Sequence, residues 1–156
     1  MECDWPNCPR YFRNNYENLK TKFAGAENIE NNWSQSMQDI FVMSMLDGKR
    51  NGVYVEIGAD QPRVISNTYL LEKDFDWSGI SFELDADKVA FFNTIRENKC
   101  LCEDATLYNY KSLFEELNYP KQIDYLQLDI DPAEGTLRAL KVLPLDDYRF
   151  SVITYE

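Results

Sequence analysis

Short apolar runs alternate with amphipathic stretches along most of this chain. VYVEI (53–57), GISFE (79–83), KCLCE (99–103), IDYLQLDI (123–130) and FSVITYE (150–156) are too brief for helices and rich in Val, Ile, Tyr and Phe, so they predict five strands. Between them the apolar residues fall three and four apart. That spacing predicts helices around Asn67–Phe75, at 85–97 with Val89, Phe92 and Ile95 on one side, near 111–118 and at 134–143. Upstream, Ser36 stands three residues before Asp39, a capping-box start for a helix carrying Ile40, Phe41, Met43, Met45 and Leu46 and closed at Asp47-Gly48. Strands separated by helices require crossovers and therefore parallel pairing. The prediction is an α/β fold with a doubly wound, mostly parallel, Rossmann-like sheet.

Residues 1–33 are polar and Asn-rich, with one short helix expected over Tyr11–Phe23, and read as an extension to a domain at 34–156. The last predicted strand ends at Glu156, where an open parallel sheet would ordinarily continue into a covering element. The expectation is a piece of a longer protein lacking its C-terminal strands, or an edge protected by other means, homodimer pairing among them.

Composition narrows the chemistry. A length of 156 residues suits one domain. No apolar run reaches the roughly 20 residues that span a bilayer, and the N-terminus has no apolar signal core, so a cytoplasmic protein without a membrane partner is expected. There is no histidine, which removes Ser-His-Asp and Cys-His nucleophiles, His-ligated zinc and an imidazole base. The net charge is −11, with seven acids against six bases in residues 1–50 and twenty against ten thereafter. Nucleic acid is therefore not an expected partner, because phosphate binding needs clustered Lys and Arg. The cysteines form two pairs, Cys3 with Cys8 and Cys100 with Cys102. The second pair has a strand-like spacing that places both on one face, and reduced, partly buried thiols fit it better than zinc.

In open parallel sheets ligands bind beyond the carboxyl ends of the strands, where strand order reverses. The residues ending these strands are Glu56 and Gly58, Glu83, Glu103 and Asp104, Asp129 and Asp131, and Tyr155 and Glu156. Nearly all are acidic, which suits a ligand carrying hydroxyls or positive charge. A nicotinamide dinucleotide needs G-x-G-x-x-G for its pyrophosphate. The first turn here, Gly58-Ala59-Asp60-Gln61-Pro62-Arg63, has one glycine, an added acid and a proline. S-adenosylmethionine has no phosphate and carries a sulfonium, an ammonium, a ribose diol and an adenine. The turn Gly58-Ala59-Asp60 would let backbone approach its methionine end, and Glu56 and Asp60 could hold the ammonium. Glu83 could accept both ribose hydroxyls, and Asp104 the adenine amino group with Ala105 against the ring. Ser66-Asn67-Thr68 reads as a helix N-cap or, through Asn67, as a cofactor contact from the first loop. Arg63 either meets the cofactor carboxylate or pairs with Glu56. Trp77, Phe82, Tyr54, Tyr69 and Tyr125 read as packing residues.

SQSMQDIFV, VYVEIGADQP, SNTYLLEKDFDWSGISFELD, IDYLQLDIDPAEGTLRAL and YRFSVITYE together resemble the FkbM-type methyltransferases, over roughly residues 34–156. The resemblance implies a class I, S-adenosylmethionine-dependent enzyme acting mostly on hydroxyl oxygens, often of sugars. It implies cofactor binding at Glu56, Gly58, Glu83 and Asp104, and an acidic segment, Asp129-Ile130-Asp131, facing methyl group and acceptor. It also implies the strand order 3-2-1-4-5-7-6, with two strands lying beyond this sequence.

Methyl transfer requires an acceptor hydroxyl in line with the sulfonium, losing its proton as the bond forms. Asp129 or Asp131 is the candidate to orient that hydroxyl or take the proton. With Glu156 they could also make an oxygen-rich magnesium site, or one of them could simply cap the helix that follows. The expected activity is O-methyl transfer to a saccharide or similar small acceptor. Its rivals are a non-catalytic binding or assembly module of the same fold and, less favoured by the glycine count, a dinucleotide oxidoreductase.

Overall fold

The computed structural model describes residues 19–156. Its centre is a five-stranded sheet, all parallel, in the order β3-β2-β1-β4-β5. The strands are β1 (Val53–Ile57), β2 (Ser78–Glu83), β3 (Lys99–Cys102), β4 (Gln122–Leu128) and β5 (Arg149–Tyr155). Among the described residues five α-helices accompany them: α1 (Gln38–Met45), α2 (Tyr69–Phe75), α3 (Ala86–Ile95), α4 (Tyr110–Glu116) and α5 (Ala133–Val142). The doubly wound α/β fold is therefore present, and each strand and helix expected within residues 34–156 lies within a few residues of its place. The chain runs outward from β1 through β2 to β3, then returns to lay β4 on the other side of β1. Strand order thus reverses between β1 and β4, and the crevice opens there.

Strand periodicity sorts the core. Val55, Ile57, Ile80, Phe82, Leu126 and Leu128 pack with Tyr110, Phe114 and Ala139 of α4 and α5. Tyr54, Tyr125 and Val152 pack on the opposite face with Ile40, Val42 and Met43 of α1 and Leu70, Leu71 and Phe75 of α2. After Gln122 every residue of β4 is buried, as expected of a parallel strand covered on both sides. β5 pairs only with β4 and forms one edge of the sheet. Among the described residues no helix is long and apolar enough to cross a membrane.

Several local expectations are corrected. Residues 11–18 of the expected helix Tyr11–Phe23 lie outside the described residues, as do Cys3 and Cys8, and residues 19–23 are not helical. Phe23, Ala26, Ile29 and Trp33, in a stretch that reads as polar, are buried in the α1–α2 side of the core. Ser36 does not cap α1. Asp39 turns back instead, accepting from the Trp33 and Ser34 amides (2.7 and 3.2 Å) and the Ser34 hydroxyl (2.6 Å). It thereby ties α1 to the segment before it. Ile95 is half exposed at the end of α3, where the helix leaves the sheet, while Val89 and Phe92 are buried.

Candidate functional site

A cleft of about 880 Å³ opens at the carboxyl ends of β1 to β4. Glu56, Gly58, Ala59, Asp60, Asn67, Glu83, Asp104, Ala105, Asp129 and Asp131 all line it. Residues spread over 76 positions are brought together because each follows or ends a parallel strand. Glu103 and Asp85 add further acid, and among the described residues Lys88 and Arg138 are the only cations in the lining.

The first turn is built by close approach. Gly58 has φ +84°, and a Cβ there would lie 1.7 Å from the Asp129 carbonyl oxygen. Only glycine lets the ends of β1 and β4 come so near, and the approach is sealed by the Asp129 amide donating to the Ile57 carbonyl (2.9 Å). The amides of Gly58 and Ala59 both donate to the Phe82 carbonyl (3.0 Å each), and that of Asp60 donates to Glu83 Oε2 (3.0 Å). The turn therefore commits the Gly58, Ala59 and Asp60 amides to β2.

Glu83 ends β2 with its Oε1 accepting from the Leu84 and Asp85 amides (2.8 and 3.0 Å). Three backbone donors thus occupy a carboxylate that has about four lone-pair positions. These bonds fix its place at the rim of the cleft. Asp104 follows β3. Its Oδ1 accepts from the Thr106 amide and hydroxyl (2.8 and 2.7 Å), bonds that hold the carboxyl below the ordinary aspartate value. Its Oδ2 takes no hydrogen bond among the described residues, and Asp104 borders the cleft beside buried Ala105.

Glu56 sits deeper, 1% exposed, accepting from the Thr68 hydroxyl (2.9 Å) and the Ser81 hydroxyl (2.6 Å). Burial pushes its pKa up, opposed by the charge of Arg96 and by those two hydroxyls. It is a wall of the cleft more than an exposed ligand for an ammonium. Asp60 is ion-paired with Lys88, whose own pKa this hydrogen bond raises.

Arg96 is the residue that sequence reasoning missed. Fully buried just past α3, it donates to Glu72 (2.7 Å), the Pro62 carbonyl (3.0 Å), Ser66 Oγ (3.3 Å), the Tyr54 hydroxyl (3.0 Å) and Thr68 Oγ1 (3.1 Å). It fastens the first loop to the sheet and, through Thr68, holds Glu56. In sequence it is a lone basic residue at a helix end, which ordinarily means a solvated cation. Lys88 had a readable signal: it stands in the first turn of α3, where the helix dipole disfavours a cation unless an acid faces it. Arg63 meets neither a cleft ligand position nor Glu56. It is exposed and stacks on Trp33 (4.5 Å to the ring centre) and Tyr69 (5.7 Å). Thr68 is the N-cap of α2 and makes no side-chain cap bond; Ser66 Oγ instead accepts from the Thr68 and Tyr69 amides (3.3 and 3.1 Å), and Asn67 borders the cleft.

After β4 the backbone is held by Thr136, whose hydroxyl accepts from the Ile130 amide (2.9 Å) and donates to its carbonyl (3.1 Å). Neither Asp129 nor Asp131 caps α5, whose N-cap is Pro132 without a side-chain bond. Asp129 is half-buried, and its pKa is raised by burial first and then by Glu156, Asp131 and Asp60. Among the described residues no group of three or more Cys, Asp or Glu side chains is arranged to hold a metal ion, so Asp129, Asp131 and Glu156 do not form one as they stand.

No protein-family model matches this chain, and no curated protein matches it either.

Proposed function

We propose that this chain is an S-adenosylmethionine-dependent O-methyltransferase domain acting on a hydroxyl of a saccharide or similar small acceptor. One observation carries the reading. Eight residues predicted to hold a phosphate-free, cationic nucleoside, and two predicted to act on its acceptor, line a single acidic cleft in whose first turn the Gly58, Ala59 and Asp60 amides are already engaged. Its volume is within the range of small-molecule sites.

The residues fit that cofactor. Asp104 has a free carboxylate oxygen beside Ala105 for an adenine amino group, and Glu83 is fixed where a ribose would lie. Asp60 and the close-packed Gly58 turn would meet the methionine end. Bound there, S-adenosylmethionine would supply a methyl group on a positively charged sulfur. The protein's part is position and proton transfer. Asp129, its pKa raised above the ordinary aspartate value by burial and the neighbouring carboxylates, would accept the proton of the attacking hydroxyl, with Asp131 orienting it.

Calorimetric titration with S-adenosylhomocysteine tests the reading. Saturable binding, weakened about a hundredfold by Glu83→Ala through loss of two charge-assisted hydrogen bonds, would support it. Preference for NAD would move the chain to the oxidoreductases, and absence of any nucleoside binding would favour an assembly module. Transfer of a labelled methyl group to protein or nucleic acid in place of glycans would refute the acceptor class.

A further inference from the structure

Among the described residues seven other than glycine have a left-handed backbone, and five of them are Asp or Asn, which tolerate it. Ile65, in the first loop, is not of that kind. Its φ is +58°, where a β-branched side chain crowds its own backbone, and such a conformation persists only where the surroundings enforce it. They do so from two sides. Ile65 forms an isolated parallel bridge with Ser34, whose amide and hydroxyl are fastened to buried Asp39. Arg96 grips the Pro62 carbonyl and Ser66 Oγ on either side of it in the loop.

Neither restraint needs an isoleucine. The bridge runs through the backbone, so glycine or asparagine would make it with less strain. Nor does the side chain serve the core. It is half-buried, yet it belongs to none of the buried apolar clusters and is not among the partly buried residues packed against them. It lines the main cleft instead. The lining that β1 and the first loop supply is otherwise Glu56, Gly58, Ala59, Asp60 and Asn67, so Ile65 is its one large apolar side chain among the described residues.

We propose that Ile65 is a ligand-contacting residue, packing on the methylene and sulfur end of the bound cofactor, and that the fold holds it in a costly conformation to make that contact. The proposal deepens the methyl-transfer reading and rests on it. Gly58 and Asp60 of the same loop stand at the methionine end. The carbons there gain nothing from the surrounding carboxylates, whereas an apolar side chain removes them from water.

The test is calorimetric titration with S-adenosylhomocysteine and, beside it, adenosine, which lacks the amino-acid end. Ile65→Gly and Ile65→Asn relieve the backbone while removing the apolar contact. Both should melt no lower than the parent, bind S-adenosylhomocysteine about tenfold more weakly and bind adenosine unchanged. Ile65→Val keeps the contact and the strain, and should stay within about fourfold of the parent for both ligands. Undiminished S-adenosylhomocysteine affinity in either relieved variant would overturn the proposal and leave the methyl-transfer reading standing. So would an equal loss for adenosine, or a lower melting temperature in both relieved variants, since the side chain would then be serving the loop. A parent that binds neither ligand, or that gains nothing from the homocysteine end, would sink the reading and this contact together.

Discussion

Replacing Arg96 by Met tests how the candidate site is held together. The substitution keeps length and apolar bulk but removes the charge and five donated hydrogen bonds, leaving Glu56 and Glu72 without their shared cation. Breaking a buried pair by deleting one partner costs about 3–5 kcal/mol. In a domain of this size that is a fall in Tm of about 10 °C. The cost must also depend on pH. Glu56 is buried with a pKa above its unfolded value, so its contribution to stability falls as pH rises from the unfolded pKa to the folded one. Arg96 opposes that shift; without it the folded pKa rises further, and the penalty grows across a wider window. Urea unfolding should therefore show a smaller loss near pH ~5 than near pH ~8. Glu56→Gln in the Arg96→Met background should recover part of the loss, about 1–3 kcal/mol of coupling. A pH-independent loss below about 1 kcal/mol would refute the idea that this cation organises the loop.

Gly58→Ala should destabilise by about 2–3 kcal/mol, from the left-handed backbone and the broken Asp129–Ile57 hydrogen bond, and should abolish S-adenosylhomocysteine binding in calorimetry. If Asp129 accepts the acceptor's proton, the transfer rate rises with pH through a pKa above the ordinary aspartate value, and Asp129→Asn flattens that profile in a labelled-methyl assay. Burial pushes the Cys100 thiol up to about 12, so alkylation followed by mass mapping should mark exposed Cys102 and spare Cys100 until the protein unfolds.

Alternating apolar runs and helical spacings determined the parallel α/β architecture, because strands joined through helices cannot pair otherwise. The rule that ligands sit beyond the carboxyl ends of such strands then brought Glu56, Glu83, Asp104 and Asp129 to one place without any coordinates. Tertiary structure alone decided how those groups are spent. The amides of Gly58 and Ala59 go to β2, Glu83 is ringed by backbone donors, and Glu56 is withdrawn behind two hydroxyls. Arg96 was illegible for the same reason: its five partners come from the first loop, β1 and α2, and only folding makes them neighbours. Ser36 and Ile95 were misread because capping and helix periodicity are local patterns, while Asp39 and the end of α3 answer to contacts made elsewhere in the chain. Periodicity records which face a residue must bury. It carries no record of which distant partner will meet a polar group once that face is closed.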